Sequence, residues 1–169
     1  PSDSYYYTAA AWAVNNGVTG GKASGIFAPS DTCTRAQVVT FLWRAMGSPE
    51  PSSTVCPFAD VNSNAYYYKA VLWAVEKGIT KGTTDTTFSP DAAVSRAQTV
   101  TFQWRAAGSP ASTAANPFVD VASDAYYAGA VAWAVSGKIT GGTTATTFSP
   151  ANPCTRAQIV TFLWRQLDK

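Results

Sequence analysis

Between Tyr66 and Val75 the apolar residues Tyr67, Ala70, Val71 and Ala74 recur at offsets of three, four and seven. That spacing puts them on one stripe of an amphipathic helix, and Gly78 ends it. The same pattern runs from Tyr5 to Val14 before Gly17, and from Tyr126 to Val135 before Gly137. Residues 79–93 carry no such period. Their glycine, threonine and proline predict a loop that can hold a short extended pair. Apolar positions return at Val100, Phe102, Trp104 and Ala107 as a second helix, closed by Gly108 and Pro110. Its start is written locally. Ser95 and Gln98 have the spacing of a capping box, in which the hydroxyl takes a backbone donor and the amide reaches back, and Thr34 with Gln37 and Thr155 with Gln158 repeat it. The unit is helix, loop, helix.

The unit occurs three times. Thr34-Arg35-Ala36-Gln37 returns 61 residues later from Ser95, and 60 residues after that from Thr155. All six tryptophans and all six arginines fall on repeated positions. The repeats are assigned to residues 1–49, 57–110 and 117–169. Units of this size bury too little surface to stand alone, so the three are expected to share one core as a single domain. The polar linkers after Ser48 and Ser109 are short enough to keep neighbours packed. Helical hairpins in tandem either stack as a solenoid or close around a pseudo-threefold axis, and the pattern alone leaves both open. Repeats 2 and 3 open on Pro57-Phe58-Ala59-Asp60-Val61 and Pro117-Phe118-Val119-Asp120-Val121. Counting back from Asp60 puts the matching aspartate of repeat 1 ahead of Pro1, so the chain is expected to begin inside its first repeat. Asp60 and Asp120 read as caps at the entry of the first helix, with Asn62 and Asn64 as alternatives in repeat 2. Asp60, Asn62 and Asn64 have the odd spacing of a calcium loop but lack its glycine and glutamate. They read better as shaping a turn, and no metal site is expected.

Composition narrows the chemistry. With 46% hydrophobic and 13% charged residues the chain can fold, and its net charge of +2 is scattered, which argues against a nucleic-acid partner. No apolar run reaches the roughly 20 residues that span a bilayer, and the start lacks the basic then apolar order of a signal peptide; a mature, soluble piece is expected. There is no histidine, which removes the Ser/His/Asp triad, histidine-bound zinc and the neutral-pH proton shuttle. Among ten carboxylates only Asp60 with Asp120 repeats, so a glycosidase pair is disfavoured. Neither catalysis nor a cofactor is expected. Three cysteines leave one unpaired: a bridge from Cys33 to Cys56 is one reading, and three buried thiols are the other.

Taken in order, Phe-Xaa-Asp-Val, the aromatic helix with Trp, Ala and Val, Gly-Ile-Thr-Gly, Phe-Ser-Pro and Thr-Arg-Ala-Gln resemble the S-layer homology domain over essentially the whole chain. The resemblance implies a mainly α fold, three repeats closed into one three-lobed, pseudo-threefold domain around a central helical bundle. It also implies a secreted, non-catalytic module of the bacterial cell wall and surface, whose grooves hold acidic, pyruvylated secondary cell wall polysaccharide. Arg35, Arg96 and Arg156 match the family's ligand-contacting arginine. A guanidinium suits a ketal carboxylate because it grips both oxygens at once. Gln37, Gln98 and Gln158 stand where many relatives carry glutamate, and so remove a negative partner. Trp43, Trp104 and Trp164 are candidate sugar platforms, whereas Trp12, Trp73 and Trp133 lie in the apolar stripe. Gly21, Gly82 and Gly142, with Lys81 beside the second of them, can bring backbone donors close to a ligand, and a plain tight turn is the other reading. Arg44, Arg105 and Arg165 suit the helix C-terminus and read as structural. A protein-interaction module on the same scaffold is the competing reading. It would present Tyr5 to Tyr7 and Tyr66 to Tyr68 to a protein partner, with self-association through an incomplete lobe.

Overall fold

The computed structural model describes residues 2–168. They form six helices: α1 Tyr7–Asn15, α2 Arg35–Ala45, α3 Tyr68–Glu76, α4 Arg96–Ala106, α5 Ala128–Ser136 and α6 Arg156–Leu167. The second helix of each repeat begins on a complete capping box, with Thr34, Ser95 and Thr155 as N-caps and Gln37, Gln98 and Gln158 reaching back. The first helices start on Tyr6, Tyr67 and Tyr127 with no side-chain cap.

The helices of one repeat are not each other's main partner. α3 packs on α2, α5 on α4, and α1 on α6, so each first helix leans on the second helix of the preceding repeat and the ends of the chain meet. The expected hairpin is therefore shared between repeats. The cause lies in the widths of the apolar faces. α2 buries Ala36, Val38, Val39, Phe41 and Leu42, and α6 buries Ala157, Ile159, Val160, Phe162 and Leu163, which is nearly every side of their first two turns. Such helices belong in the centre, and α2, α4 and α6 contact one another there. α1 and α5 bury only a narrow stripe, such as Ala130, Val131 and Ala134 on α5, and stay outside; α3 also packs outside, on α2, although it buries Leu72 and Trp73 as well, so face width does not explain its place.

Backbone hydrogen bonds run round the same cycle. The Cys33 N–H donates to the Cys154 carbonyl at 3.1 Å, the Cys154 N–H to Val94 at 2.9 Å, and the Val94 N–H to Cys33 at 3.0 Å. The first N–H groups of α2, α4 and α6 have no partner within their own helices. Those of Arg35, Arg96 and Arg156 donate to Ala92, Asn152 and Asp31 of the next loop in the cycle, each at 2.9 Å.

Two expectations are corrected here. Asp60 and Asp120 do not cap helices. Each carboxylate instead accepts two backbone N–H groups from its own loop, Phe88 at 2.8 Å and Ser89 at 2.7 Å for Asp60, and Phe148 and Ser149 at the same distances for Asp120. The Cys33 to Cys56 bridge is absent, and all three cysteines are free thiols. Cys33 is held at the meeting of the three loops by its bonds to Cys154 and Val94, while Cys56 lies beside Phe58 at the opening of repeat 2. Burial pushes the Cys33 thiol up to about 12 and the Cys154 thiol up to about 11, so both behave as small apolar side chains, as Val94 does in repeat 2. Among the described residues no helix is long and apolar enough to cross a membrane.

Candidate ligand grooves between the repeats

Arg35, Arg96 and Arg156 are each only 3% exposed, although they open the second helices. Burial of a guanidinium demands compensation. Each Nε donates to a phenylalanine carbonyl in the next loop of the cycle: Arg35 to Phe88, Arg96 to Phe148 and Arg156 to Phe27, all at 2.8 Å. Each guanidinium also lies between two phenyl rings, Phe88 and Phe102 for Arg35, at 4.8 and 5.4 Å from the ring centres. Phe148 and Phe162 flank Arg96, and Phe27 and Phe41 flank Arg156. The side chain is thus rigid before any ligand arrives. Desolvation lowers the pKa of Arg35 and Arg96 without discharging a guanidinium.

Three grooves open where these arginines reach the surface, with volumes of about 210 Å³ at Arg35, 340 Å³ at Arg96 and 310 Å³ at Arg156. Each groove is built by all three repeats. Arg35 comes from repeat 1, Lys81, Gly82, Gln98 and Arg105 from repeat 2, and Tyr126 from repeat 3. The Arg96 groove draws Gly142, Gln158 and Arg165 from repeat 3 and Tyr5 from repeat 1. The Arg156 groove draws Gly21, Lys22, Gln37 and Arg44 from repeat 1 and Tyr66 from repeat 2. The glycines are required by the turn itself. At Gly82, with φ +87°, a Cβ would stand 2.5 Å from the Phe58 ring and from two carbonyl oxygens. The glutamine side-chain oxygens are spent on capping at 3.0 to 3.1 Å.

The grooves differ in free cationic capacity. The Nη2 of Arg96 and Arg156 reach Thr140 and Thr19 at 3.5 and 3.1 Å, whereas the buried Nη2 of Arg35 has no partner among the described residues. The Arg35 groove also holds Lys81, while Lys22 of the Arg156 groove is paired with Asp31 at 2.5 Å.

Two sets of residues stand elsewhere than the sequence suggested. Trp43, Trp104 and Trp164 do not line the grooves. Their indole N–H groups donate to Pro49, Pro110 and the Asp168 carboxylate, so each pins the chain that leaves its helix. Arg44, Arg105 and Arg165, read as structural, do both jobs: each donates to a carbonyl after a first helix, at 3.0 to 3.3 Å, and each lines a groove. Tyr5, Tyr66 and Tyr126 were missed as groove residues. They are about 60% exposed, and partial burial raises their pKa, so the phenols remain neutral donors beside the second arginines. Their one sequence signal was recurrence at the same place ahead of each first helix.

A profile of the S-layer homology domain matches residues 1–39, 57–100 and 117–160, and the chain belongs to that family. Among curated proteins it is similar to the Surface-layer 125 kDa protein of Lysinibacillus sphaericus, at 36% identity over 85 residues. An Endoglucanase of Bacillus sp. (strain KSM-635) is 37% identical over 86 residues. These matches take in 50% and 51% of this chain but only 7% and 9% of the two relatives.

Proposed function

We propose that this domain is a non-catalytic anchor that holds a larger exported protein on the bacterial cell wall by binding pyruvylated polysaccharide in the three grooves. One observation carries the reading: in every groove a buried guanidinium, already fixed by a phenylalanine carbonyl and two rings, meets a second arginine and a tyrosine from other repeats. Fixed, partly desolvated cations favour a small carboxylate over a diffuse polyanion, because the cost of ordering them is met in folding. The cyclic contacts support a closed, pseudo-threefold domain. The names of the relatives fit the same role, one a surface-layer protein and the other an enzyme of which this chain resembles only a small share. Of the tyrosines invoked for a protein partner, Tyr5 and Tyr66 line grooves and the Tyr68 hydroxyl donates to the Thr54 carbonyl, which leaves less of that surface for a protein partner.

The test is calorimetric titration with purified pyruvylated wall polysaccharide. Replacing Arg35, Arg96 and Arg156 together by lysine keeps the charge and removes the fork, and binding should fall at least tenfold. Should that variant fold poorly, Arg44, Arg105 and Arg165 changed to glutamine test the same claim from the groove rim. Full affinity in folded variants of both kinds would refute it.

A further inference from the structure

A further cavity, of about 370 Å³, lies outside the three grooves and is larger than any of them. It opens between the ends of α2 and α4 and the turn that follows α3. Met46, Pro49, Trp73 and Ile79 give it an apolar floor, and Lys77 and Arg105 place two cations on its rim. Lys77 lies 3.4 Å from the Glu76 carboxylate, an exposed pair that holds it weakly. Glu76 is itself turned to the linker, where it accepts the Ser52 N–H at 2.7 Å and the Ser52 hydroxyl at 3.3 Å. Lys77 thus keeps capacity for a second anion.

Arg105 joins this cavity to the Arg35 groove, because its side chain lines both. Its Nη1 donates to the Ile79 carbonyl at 3.0 Å; Ile79 faces the cavity, and Thr80, Lys81 and Gly82, next in the chain, line the groove. Arg35, Lys81, Arg105 and Lys77 therefore lie on one cationic track, and no carboxylate among the described residues lines either space. A track of one sign raises the local concentration of an anionic chain along its whole length. The other repeats do not reproduce it. Asn16 and Gly137 stand where Lys77 does, and Ala107 and Leu167 stand where Met46 does.

We propose that this cavity is a second subsite of the Arg35 groove, occupied by the sugar residue that follows, along the same acidic polysaccharide, the one held at Arg35. This subsite presupposes the anchoring reading. Continuity through Arg105 and the two rim cations define the occupant: its anionic substituent lies between Lys77 and Arg105, and the C–H face of its ring rests on Met46, Pro49 and Ile79. An apolar floor with a few placed charges suits such a group better than a free inorganic anion, which has no apolar face to bury. The Arg35 groove then reads two residues of the polymer where the other grooves read one.

Met46 is the only methionine of the chain and is 41% exposed, so a carbon-13 label on its methyl group watches this cavity alone by NMR. The methyl resonance should shift when purified pyruvylated wall polysaccharide is added and stay in place with the single pyruvylated sugar released from that polymer. Lys77→Ala should raise the polysaccharide concentration at half-shift roughly fivefold, while calorimetric binding of the single sugar stays within about twofold of the parent. A resonance that does not move while calorimetry records polysaccharide binding would overturn the subsite and leave the anchoring reading intact. An equal shift with the single sugar, or an unchanged half-shift in Lys77→Ala, would overturn it as well. Absence of any calorimetric binding to the polysaccharide would overturn both.

Discussion

A guanidinium keeps its charge inside a protein, so what surrounds it decides whether it stabilises the fold or waits for a ligand. Arg96 and Arg156 have an Nη2 turned to a threonine hydroxyl, and Arg35 does not. A buried donor without a partner is costly, and a ligand carboxylate at Arg35 would relieve that cost. Lys81 adds a cation to the same groove, and among the described residues it forms no ion pair. Lys81→Ala should therefore weaken polysaccharide binding at least threefold, and Lys22→Ala, already tied to Asp31, less than twofold, as read by calorimetry. The buried cysteines have a plainer role. Cys33→Val copies what Val94 already does at the equivalent position and should change stability by less than about 1.5 kcal/mol in urea unfolding. A thiol reagent should leave Cys33 and Cys154 unmodified in the native domain.

Among the elements, the capped second helices were legible in the sequence because a capping box is local: hydroxyl and amide stand three residues apart in one turn. Where the indoles go was not legible. Trp43 reaches the Pro49 carbonyl only because the chain turns back after α2, and no apolar periodicity reports that turn. The misplaced aspartate caps have the same origin, since Asp120 bonds to residues 28 and 29 positions onward. Burial raises the Asp120 carboxyl, but the N–H groups of Phe148 and Ser149 more than offset this and hold its pKa below the usual 3.8. Its stabilising effect is then present in full above the unfolded value of 3.8 and is lost as pH falls through the lower folded value. Asp120→Asn should cost about 1 to 2 kcal/mol at pH 7, and the difference from the parent should shrink in urea titrations below pH 3.8.

At the scale of the molecule, the repeat and the residue types of the grooves could be read from the chain, but the partners within each groove could not. The contact from Arg156 to Phe27 spans 129 residues, and it exists because α1 packs on α6. That closure separates this fold from a solenoid, whose ends never meet and whose repeats can melt in sequence. Calorimetry should show one unfolding transition with equal calorimetric and van't Hoff enthalpies, and removing residues 2–16 should destabilise α6 and the Arg156 groove together. The central claim is that rigid cations in the three grooves recognise an acidic ketal on a wall polysaccharide. It is tested most directly by titrating the domain with the same purified polysaccharide before and after mild acid removes its pyruvate. Binding that disappears with the pyruvate is the predicted result, and undiminished binding to the stripped polymer would contradict the account.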